Sequence, residues 1–203
     1  MFKESHKIKN VVLILMCLVV ASCANTHLKE TWMLEGHKKT YHQPMIIGIS
    51  DSQQTRRIYE NHFVSELKKK NINAIASYPL ISSKQIINQD TVVAAIQGTE
   101  IDAVLVSYLV SADEEIRHQE SPLASSYSDS IENNQISATI ISTRGRSRSE
   151  EVLVLKNDVY DAASRELVWS AYTKTVAPES IDEVVTDVTE LLIDKLFEDE
   201  ILK

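Results

Sequence analysis

The architecture of this chain depends most on the stretch Ile101-Asp102-Ala103-Val104-Leu105-Val106-Ser107-Tyr108-Leu109-Val110. Apolar side chains occupy both sets of alternating positions along it, so both faces of a strand formed here would be covered. Strands covered on both faces are typical of the interior of sheets that are built from β-α-β units. The stretch therefore predicts an α/β domain in which this segment is a central strand.

Related patterns lie on the N-terminal side of this strand. A short apolar run follows Pro44, and apolar residues then recur every four positions in a segment that ends in three lysines. We predict strands over 45–49 and 72–78, a helix from Asp51 or Ser52 to about Lys70, and a short helix between a cap at Asp90 and Gly98. Strand, helix, strand, helix and strand in this order favour parallel pairing.

The C-terminal half has a different pattern. Strands are predicted at about 135–143, 151–160 and 166–176, and the last two are close enough to form a hairpin that turns at 161–165. Ser180 and Glu183 form a capping box ahead of an apolar stripe, which predicts a C-terminal helix. We therefore predict one α/β domain over 44–203, α+β-like in its second half. The domain would have two or three layers around a mixed sheet. Its elements would follow the order β-α-β-α-β, then a β-hairpin and a helix.

The N-terminus has the composition of an export signal. Lys3, Lys7 and Lys9 precede an apolar run over 11–21, and small residues follow. A helix needs roughly 20 apolar residues to cross a bilayer, so we do not expect this shorter run to remain as a membrane span. The alternative is a soluble or singly spanning protein that carries Val-Ala-Ser-Cys at 20–23 by chance.

Val20-Ala21-Ser22-Cys23 resembles the lipobox of bacterial lipoproteins. The resemblance implies cleavage between Ser22 and Cys23 and multiple acylation of Cys23, which would anchor the chain firmly in a membrane. Ala24 stands where lipoproteins retained in the inner membrane often have aspartate, which in a Gram-negative host implies an outer-membrane location facing the periplasm. The chain then divides into a signal peptide (1–22), a lipid-anchored tether and lead-in segment (23–43) and the domain (44–203). Such a tether, fully extended, would reach about 66–72 Å.

The charge of the chain argues against a nucleic-acid partner, and its cysteine content argues against an internal disulfide. The chain has a net charge of −8, and loss of residues 1–22, which contain more lysine than glutamate, makes the remainder more acidic. We expect no nucleic-acid partner, because nucleic acid is bound mainly through lysine and arginine. Cys17 would be lost with the signal peptide, so Cys23 would be the only thiol left and no internal disulfide is expected.

Several short motifs follow one another in a recognisable order. They are Thr31-Trp32, Met45-Ile46-Ile47-Gly48-Ile49-Ser50-Asp51, Arg56-Arg57-Ile58-Tyr59-Glu60, Ala76-Ser77-Tyr78, Ile101-Asp102-Ala103-Val104-Leu105-Val106 and Val159-Tyr160-Asp161 with Leu167-Val168-Trp169-Ser170. This ordered set resembles a widespread group of small bacterial lipoproteins of uncharacterised function. The resemblance implies an α/β domain on a lipid anchor. At the level of fold the chain is also similar to envelope lipoproteins that act with a partner, such as those that activate peptidoglycan synthases or build secretion channels.

Three arginines and a tryptophan are the candidate contact residues. Arg144, Arg146 and Arg148 alternate where relatives often have a Gly/Tyr-rich loop, and guanidinium groups on one side of an extended segment suit phosphate or carboxylate. The alternative is a solvated turn between strands. Trp32 lies outside the predicted elements and would either fix the tether to the domain or contact a partner.

No catalytic or metal-binding pattern is present in the sequence. The histidines are dispersed, no Gly-x-Ser-x-Gly motif occurs, and four glycines are too few for a phosphate-binding loop. We therefore predict no catalytic residue, no metal and no cofactor. The predicted function is that of a non-enzymatic cell-envelope lipoprotein, anchored by acylated Cys23, that binds another envelope protein or a polymer. The alternative is an envelope enzyme, hydrolase-like, whose site residues are not adjacent in sequence.

Overall fold

The strands of this chain join one mixed sheet with helices on both faces. The computed structural model describes residues 26–82, 84–110, 152–176, 178 and 180–203. Within these residues the elements are β1 (Thr26–Met33), β2 (Pro44–Gly48), α1 (Gln53–Lys69), β3 (Ile75–Ala76), α2 (Gln89–Ile96), β4 (Ala103–Val110), β5 (Val152–Asp161), β6 (Leu167–Val176) and α3 (Ile181–Glu198).

The order of the strands in the described part of the sheet is β1-β6-β5-β4-β2-β3. β2 lies between β3 and β4 and is parallel to both, and a helix lies between each pair of successive strands in β2-α1-β3-α2-β4. The other neighbouring pairs, β4 with β5, β5 with β6 and β6 with β1, are antiparallel. The predicted α/β class is confirmed, and so are the mixed sheet, the β5–β6 hairpin and the C-terminal helix.

Two apolar clusters cover the two faces of the sheet. On one face, α1 and α3 pack against strand residues that include Ile46, Leu105 and Trp169. On the other face, α2 packs through Val92 against a cluster that includes Met45. Met45 and Ile46 are consecutive in β2, so their side chains point to opposite faces. The domain therefore has three layers where β2 and β4 lie between the helices.

The helices begin at side-chain caps, and one cap differs from the prediction. Ser52 and Ser180 cap α1 and α3, as the sequence indicates. α2 starts after Asn88 instead of at the predicted Asp90. The reason is a reciprocal capping box: Asn88 Oδ1 accepts from the Thr91 N–H at 2.9 Å, and Thr91 Oγ1 accepts from the Asn88 N–H at 3.0 Å.

The strand predicted over 72–78 is much shorter in the structure. Only Ile75–Ala76 pairs with β2. The Ile72 N–H donates to the Leu67 carbonyl at 3.0 Å and so completes the end of α1, while the Ser77 carbonyl accepts an N–H at 2.9 Å from three residues further on. The Ser77 and Asn73 N–H groups still donate to the Ile46 and His42 carbonyls, at 3.0 and 3.1 Å, but the helix end and the turn limit the paired residues of β3 to two.

Residues 26–33, which the sequence assigns to a tether, form β1, the edge strand of the described part of the sheet. β1 pairs antiparallel with β6, and Trp32 lies opposite Ser170 with 39% of its surface exposed. Beyond β1 the chain stays attached, because the Tyr41 N–H donates to the Ile201 carbonyl at 2.9 Å. Residues 26–43 therefore belong to the domain.

Several predicted features fall outside the described residues. They are the signal peptide with Ser22 and Cys23, the strand at about 135–143, and Arg144, Arg146 and Arg148. None of the described helices is long and apolar enough to cross a bilayer.

Candidate functional site

A cleft of about 520 Å³ opens between α2 and the turn that joins β5 to β6. Its wall combines apolar and charged side chains, contributed by α2, the start of β4, the β5–β6 turn and the segment before β2. The lining residues are Lys39, Val93, Ile96, Gln97, Ile101, Asp102, Ala162, Ala163 and Arg165. A narrower extension of about 30 Å³ continues between α2 and the sheet, past Val92, Val104 and Tyr160.

The cleft exists because α2 is short. α2 has eight residues, starts at the Asn88–Thr91 capping box and is followed by Gly98, which has a positive φ of 76°. Glycine adopts that conformation without the steric cost that other residues bear. The chain then turns into β4, so α2 covers β2 and β4 and leaves a gap beside the β5–β6 turn.

Asp161 fixes the β5–β6 turn at the edge of the cleft. Its Oδ1 accepts the N–H groups of Ala163 and Ser164, both at 2.8 Å, and its Oδ2 accepts Lys39 Nζ at 2.6 Å and the Tyr41 hydroxyl at 3.0 Å. Partial burial opposes ionisation of this carboxyl, but the hydrogen bonds outweigh it and lower the pKa of Asp161 to about 2. The carboxylate is therefore charged and fully occupied by its own chain.

The other carboxylate of the cleft, Asp102, is also occupied. Its Oδ2 accepts the His42 N–H at 2.7 Å and its Oδ1 accepts the Gln43 N–H at 3.0 Å. These two bonds hold the segment before β2 against the start of β4. Asp102 and Asp161 therefore build the wall of the cleft, and neither has the geometry of a free acid or base.

Arg165 differs from the other charged residues of the lining. It is exposed and has a φ of 65°, in the left-handed region, within the turn where its N–H donates to the Asp161 carbonyl at 2.8 Å. Among the described residues its guanidinium group has no hydrogen-bond or ion-pair partner. Lys39, in contrast, is paired with Asp161. Arg165 is thus the cation of the cleft whose charge is not already paired with a carboxylate of the described residues.

A second polar cluster lies on the same face of the sheet, around Asp158. This carboxylate is 1% exposed and accepts the Ser170 hydroxyl at 2.6 Å, with Lys156 Nζ and the hydroxyls of Tyr108 and Tyr160 each at 3.4 Å. Burial raises the pKa of the Asp158 carboxyl, against the opposing effects of Lys156 and of the hydrogen bonds. The cluster is a compact polar network with one perturbed acid.

Of the predicted contact residues, only Trp32 is described. The register places Trp32, Ser170 and Asp158 in one row across β1, β6 and β5, so Trp32 lies on the face that carries the Asp158 cluster and is absent from the lining of the cleft. Within the described ranges, no three histidine, cysteine, aspartate or glutamate residues are grouped so that they could hold a metal ion.

The sequence contained part of the signal for the cleft. The turn at 161–165 was predicted, and Arg165 is a bulky cation at its end, where glycine or asparagine would adopt the left-handed conformation more readily. Lys39, Asp102 and α2 are distant from this turn along the chain. Sequence spacing therefore gave no reason to combine them into one site.

Comparison with known proteins gives only distant similarity. No family model and no curated protein matches the chain. The PelC dodecamer from Paraburkholderia phytofirmans has a similar structure, with 11% identity over 82% of this chain and 94% of that chain and a TM-score of 0.45. The lipoprotein GNA1162 from Neisseria meningitidis has 9% identity over 77% of this chain and 98% of that chain, with a TM-score of 0.38. One of the two is thus a bacterial lipoprotein, and similarity at this level transfers no function to individual residues.

Proposed function

We propose that the protein is a non-enzymatic lipoprotein of the bacterial cell envelope, anchored by acylated Cys23 in the outer membrane and facing the periplasm. The cleft between α2 and the β5–β6 turn is its binding site for another envelope protein or a polymer. The observation that carries this proposal is the open cleft of about 520 Å³ in which both carboxylates are occupied while Arg165 is not. Concave surfaces with apolar walls and few polar groups are typical of binding sites.

The anchor would hold the domain close to the membrane. Only two residues separate Cys23 from Thr26, the first residue of β1, so the chain between them spans at most about 11 Å. Thr26 lies opposite Thr175, near the C-terminal end of β6. The end of the sheet that contains these two residues therefore faces the membrane in this proposal.

The cleft lies at the opposite end of the same strands. It adjoins the turn before β6, and β1 runs from Thr26 towards that turn with Met33 opposite Trp169. Seven residue steps at about 3.4 Å place the two ends of β1 about 24 Å apart. The binding site would therefore face away from the anchoring membrane, towards partners in the periplasm.

Binding is favoured over catalysis by the chemistry of the lining. The described residues that line the cleft and its extension include no serine, cysteine, threonine or histidine. Nucleophilic catalysis uses such a side chain or a lysine, a tyrosine or a carboxylate. The lysine and the two carboxylates of the lining are bonded within the protein, and the Tyr160 hydroxyl donates to Asp158. Asp161 has a pKa of about 2 and is therefore a poor general base at neutral pH.

One observation favours the alternative, an envelope enzyme. A buried carboxyl with a raised pKa beside a lysine, as at Asp158 and Lys156, is common in catalytic sites as well as in structural networks. If the protein turns over an envelope substrate, Asp158→Asn should abolish that turnover. Arg165→Gly, a change in the cleft, should leave it intact.

The anchor is tested by mass spectrometry of the N-terminal peptide and by membrane fractionation. We expect a chain that starts at Cys23 and carries acyl groups, and we expect Cys23→Ser to move the protein into the soluble periplasmic fraction. Cys17→Ser is the matched control, because it changes the other cysteine and should leave the protein membrane-bound. An unmodified Cys23 on an uncleaved chain would refute the proposal.

A further inference from the structure

The conformation of Arg165 is unusual among the described residues. Three non-glycine residues have a positive φ: Asn71, Arg165 and Glu200. Asn71 and Glu200 each follow a helix, where the next N–H returns to a helix carbonyl, Ile72 to Leu67 at 3.0 Å and Ile201 to Leu196 at 2.9 Å. That capping geometry explains both of them.

Arg165 has no such helix end to complete. It occupies the last position of the β5–β6 turn, which glycine or asparagine would fill at a lower steric cost. This conformation closes the β5–β6 hairpin, in which the Asp161 N–H donates to the Glu166 carbonyl at 3.0 Å and the Arg165 N–H to the Asp161 carbonyl at 2.8 Å. The turn brings the Arg165 side chain to the wall of the cleft, without a partner among the described residues.

We infer that the cleft binds the carboxylate of an acidic peptide segment, with Arg165 as the residue that contacts it. This inference rests on the proposed function, because it takes the cleft to be the binding site. A guanidinium group offers planar, paired N–H donors that match the two oxygens of a carboxylate. Lys39 suits that role less well, because its ammonium group lies 2.6 Å from Asp161 Oδ2 and lacks the planar pair of donors.

The residues around Arg165 indicate which chemical group of the ligand lies next to its carboxylate. Val93 and Ile96 on α2 and Ala162 and Ala163 on the turn line the same cleft. An occupant that combines an oxyanion with an aliphatic group would satisfy both the cation and these apolar walls. A peptide with an apolar side chain next to an acidic residue or to its C-terminal carboxylate has that combination.

The position of the cleft argues against lipid headgroups as the occupant. If Cys23 is acylated, the membrane lies at the Thr26 end of β1, about 24 Å from the turn that contains Arg165. With β1 perpendicular to the membrane, phosphate groups of the anchoring membrane would be too distant to reach the cleft. Binding of free phosphate or of lipid to the cleft is an outcome that the test below would detect.

The test is a titration of the full chain, purified in a mild detergent, with N-acetyl-leucine and with its neutral amide. Binding is measured by NMR from the shifts of the Ala162 and Ala163 amide signals. We expect the acid to shift these signals in a saturable manner and to bind at least about tenfold more tightly than the amide, because the amide lacks the charge-assisted contact. Equal binding of the two probes would overturn the inference.

Substitutions at Arg165 separate binding from folding. Arg165→Gly should weaken binding of N-acetyl-leucine by about tenfold or more, with an unfolding temperature at or above that of the wild type, because glycine relieves the left-handed conformation. Arg165→Gln should weaken binding to the same extent. Lys38→Gln is the matched control, since Lys38 is exposed and is not among the lining residues, and it should bind like the wild type. Unchanged binding by both Arg165 variants would contradict the inference.

Two further probes distinguish the sources of the anion. Inorganic phosphate that displaces N-acetyl-leucine at a lower concentration than acetate would assign the cleft to phosphate instead. Phosphatidylglycerol vesicles that shift the same amide signals would assign it to lipid, and either result would overturn the peptide assignment. Failure of the proposed function gives different results. An unmodified Cys23 would refute the lipid anchor, and saturable shifts of signals far from Ala162 and Ala163 would refute the cleft as the binding site.

Discussion

Replacing Arg56 by methionine removes the cation from a buried network that joins α1 to β2 and to the turn after β3. Arg56 is 4% exposed and Glu60 is fully buried, and Arg56 Nε donates to Glu60 Oε1 at 2.8 Å. Arg56 Nη2 also donates to the Ser77 hydroxyl at 2.7 Å, and that hydroxyl donates to Glu60 Oε1 at 2.7 Å. The backbone N–H groups of Gly48 and Tyr78 donate to the same carboxylate at 3.2 and 2.8 Å.

The expected cost follows from the charge that this change leaves behind. Methionine retains most of the apolar volume of Arg56, so packing changes little. Glu60, however, would remain buried without its cation. Breaking one side of a buried ion pair costs about 3–5 kcal/mol, and a domain of this kind has a total stability of about 5–15 kcal/mol. Arg56→Met should therefore lower the urea midpoint by a large fraction or prevent folding.

Urea unfolding followed by circular dichroism measures this effect, and the next residue supplies the control. Arg57 is exposed and its guanidinium carbon lies 5.4 Å from the centroid of the Tyr78 ring, so Arg57→Met should cost at most about 1 kcal/mol. The two variants differ by one position on the same helix. Equal free energies of unfolding for Arg56→Met and Arg57→Met would refute the reasoning.

Two further predictions concern pH and a buried hydroxyl. The pKa of Asp161 is lowered from 3.8 to about 2, so its contribution to stability is present above about pH 4 and is lost as the pH falls through 2. The difference in free energy of unfolding between the wild type and Asp161→Asn should therefore shrink from neutral pH to pH 2 in parallel urea titrations, and a constant difference would contradict the assignment. Thr189 Oγ1 is buried on α3 without a hydrogen-bond partner in the described chain, so Thr189→Val should raise the free energy of unfolding by about 1 kcal/mol. Thr186→Val, which loses a bond to the Asp182 carbonyl at 2.8 Å on the exposed side of α3, should give no such gain, and equal effects would rule out the explanation.

The sequence predicts the elements whose signals are local. β4 follows from an apolar run, α3 from a capping box and a stripe of apolar residues, and the β5–β6 hairpin from two strands with a short turn between them. β1 was not predicted, because its residues are largely polar and exposed and its strand conformation comes from pairing with β6, which is distant in sequence. Edge strands of this kind have little apolar pattern of their own.

The short motifs that stand out in the sequence have a structural explanation in part. Arg56 and Glu60 come from one motif and Ser77 from another, and the three side chains meet in one buried network. Asp102 and Asp161 come from two further motifs and hold the wall of the cleft. Arg56 and Glu60 are four residues apart on α1, but the bonds to Ser77 and those that join Asp161 to Lys39 and Asp102 to His42 link residues far apart in sequence, so spacing along the chain gave no sign of them.

The central claim is that the cleft beside Arg165 binds an envelope partner, and crosslinking in intact cells tests it most directly. A photoreactive amino acid at Ala163, on the wall of the cleft, should attach reproducibly to one envelope protein, whereas the same group at the exposed Ser65 on α1 should not. When Arg165→Gly is introduced into the chain that carries the photoreactive group at Ala163, the amount of crosslinked product should fall strongly. Equal products from Ala163 and Ser65, or an Ala163 product unaffected by Arg165→Gly, would contradict the claim.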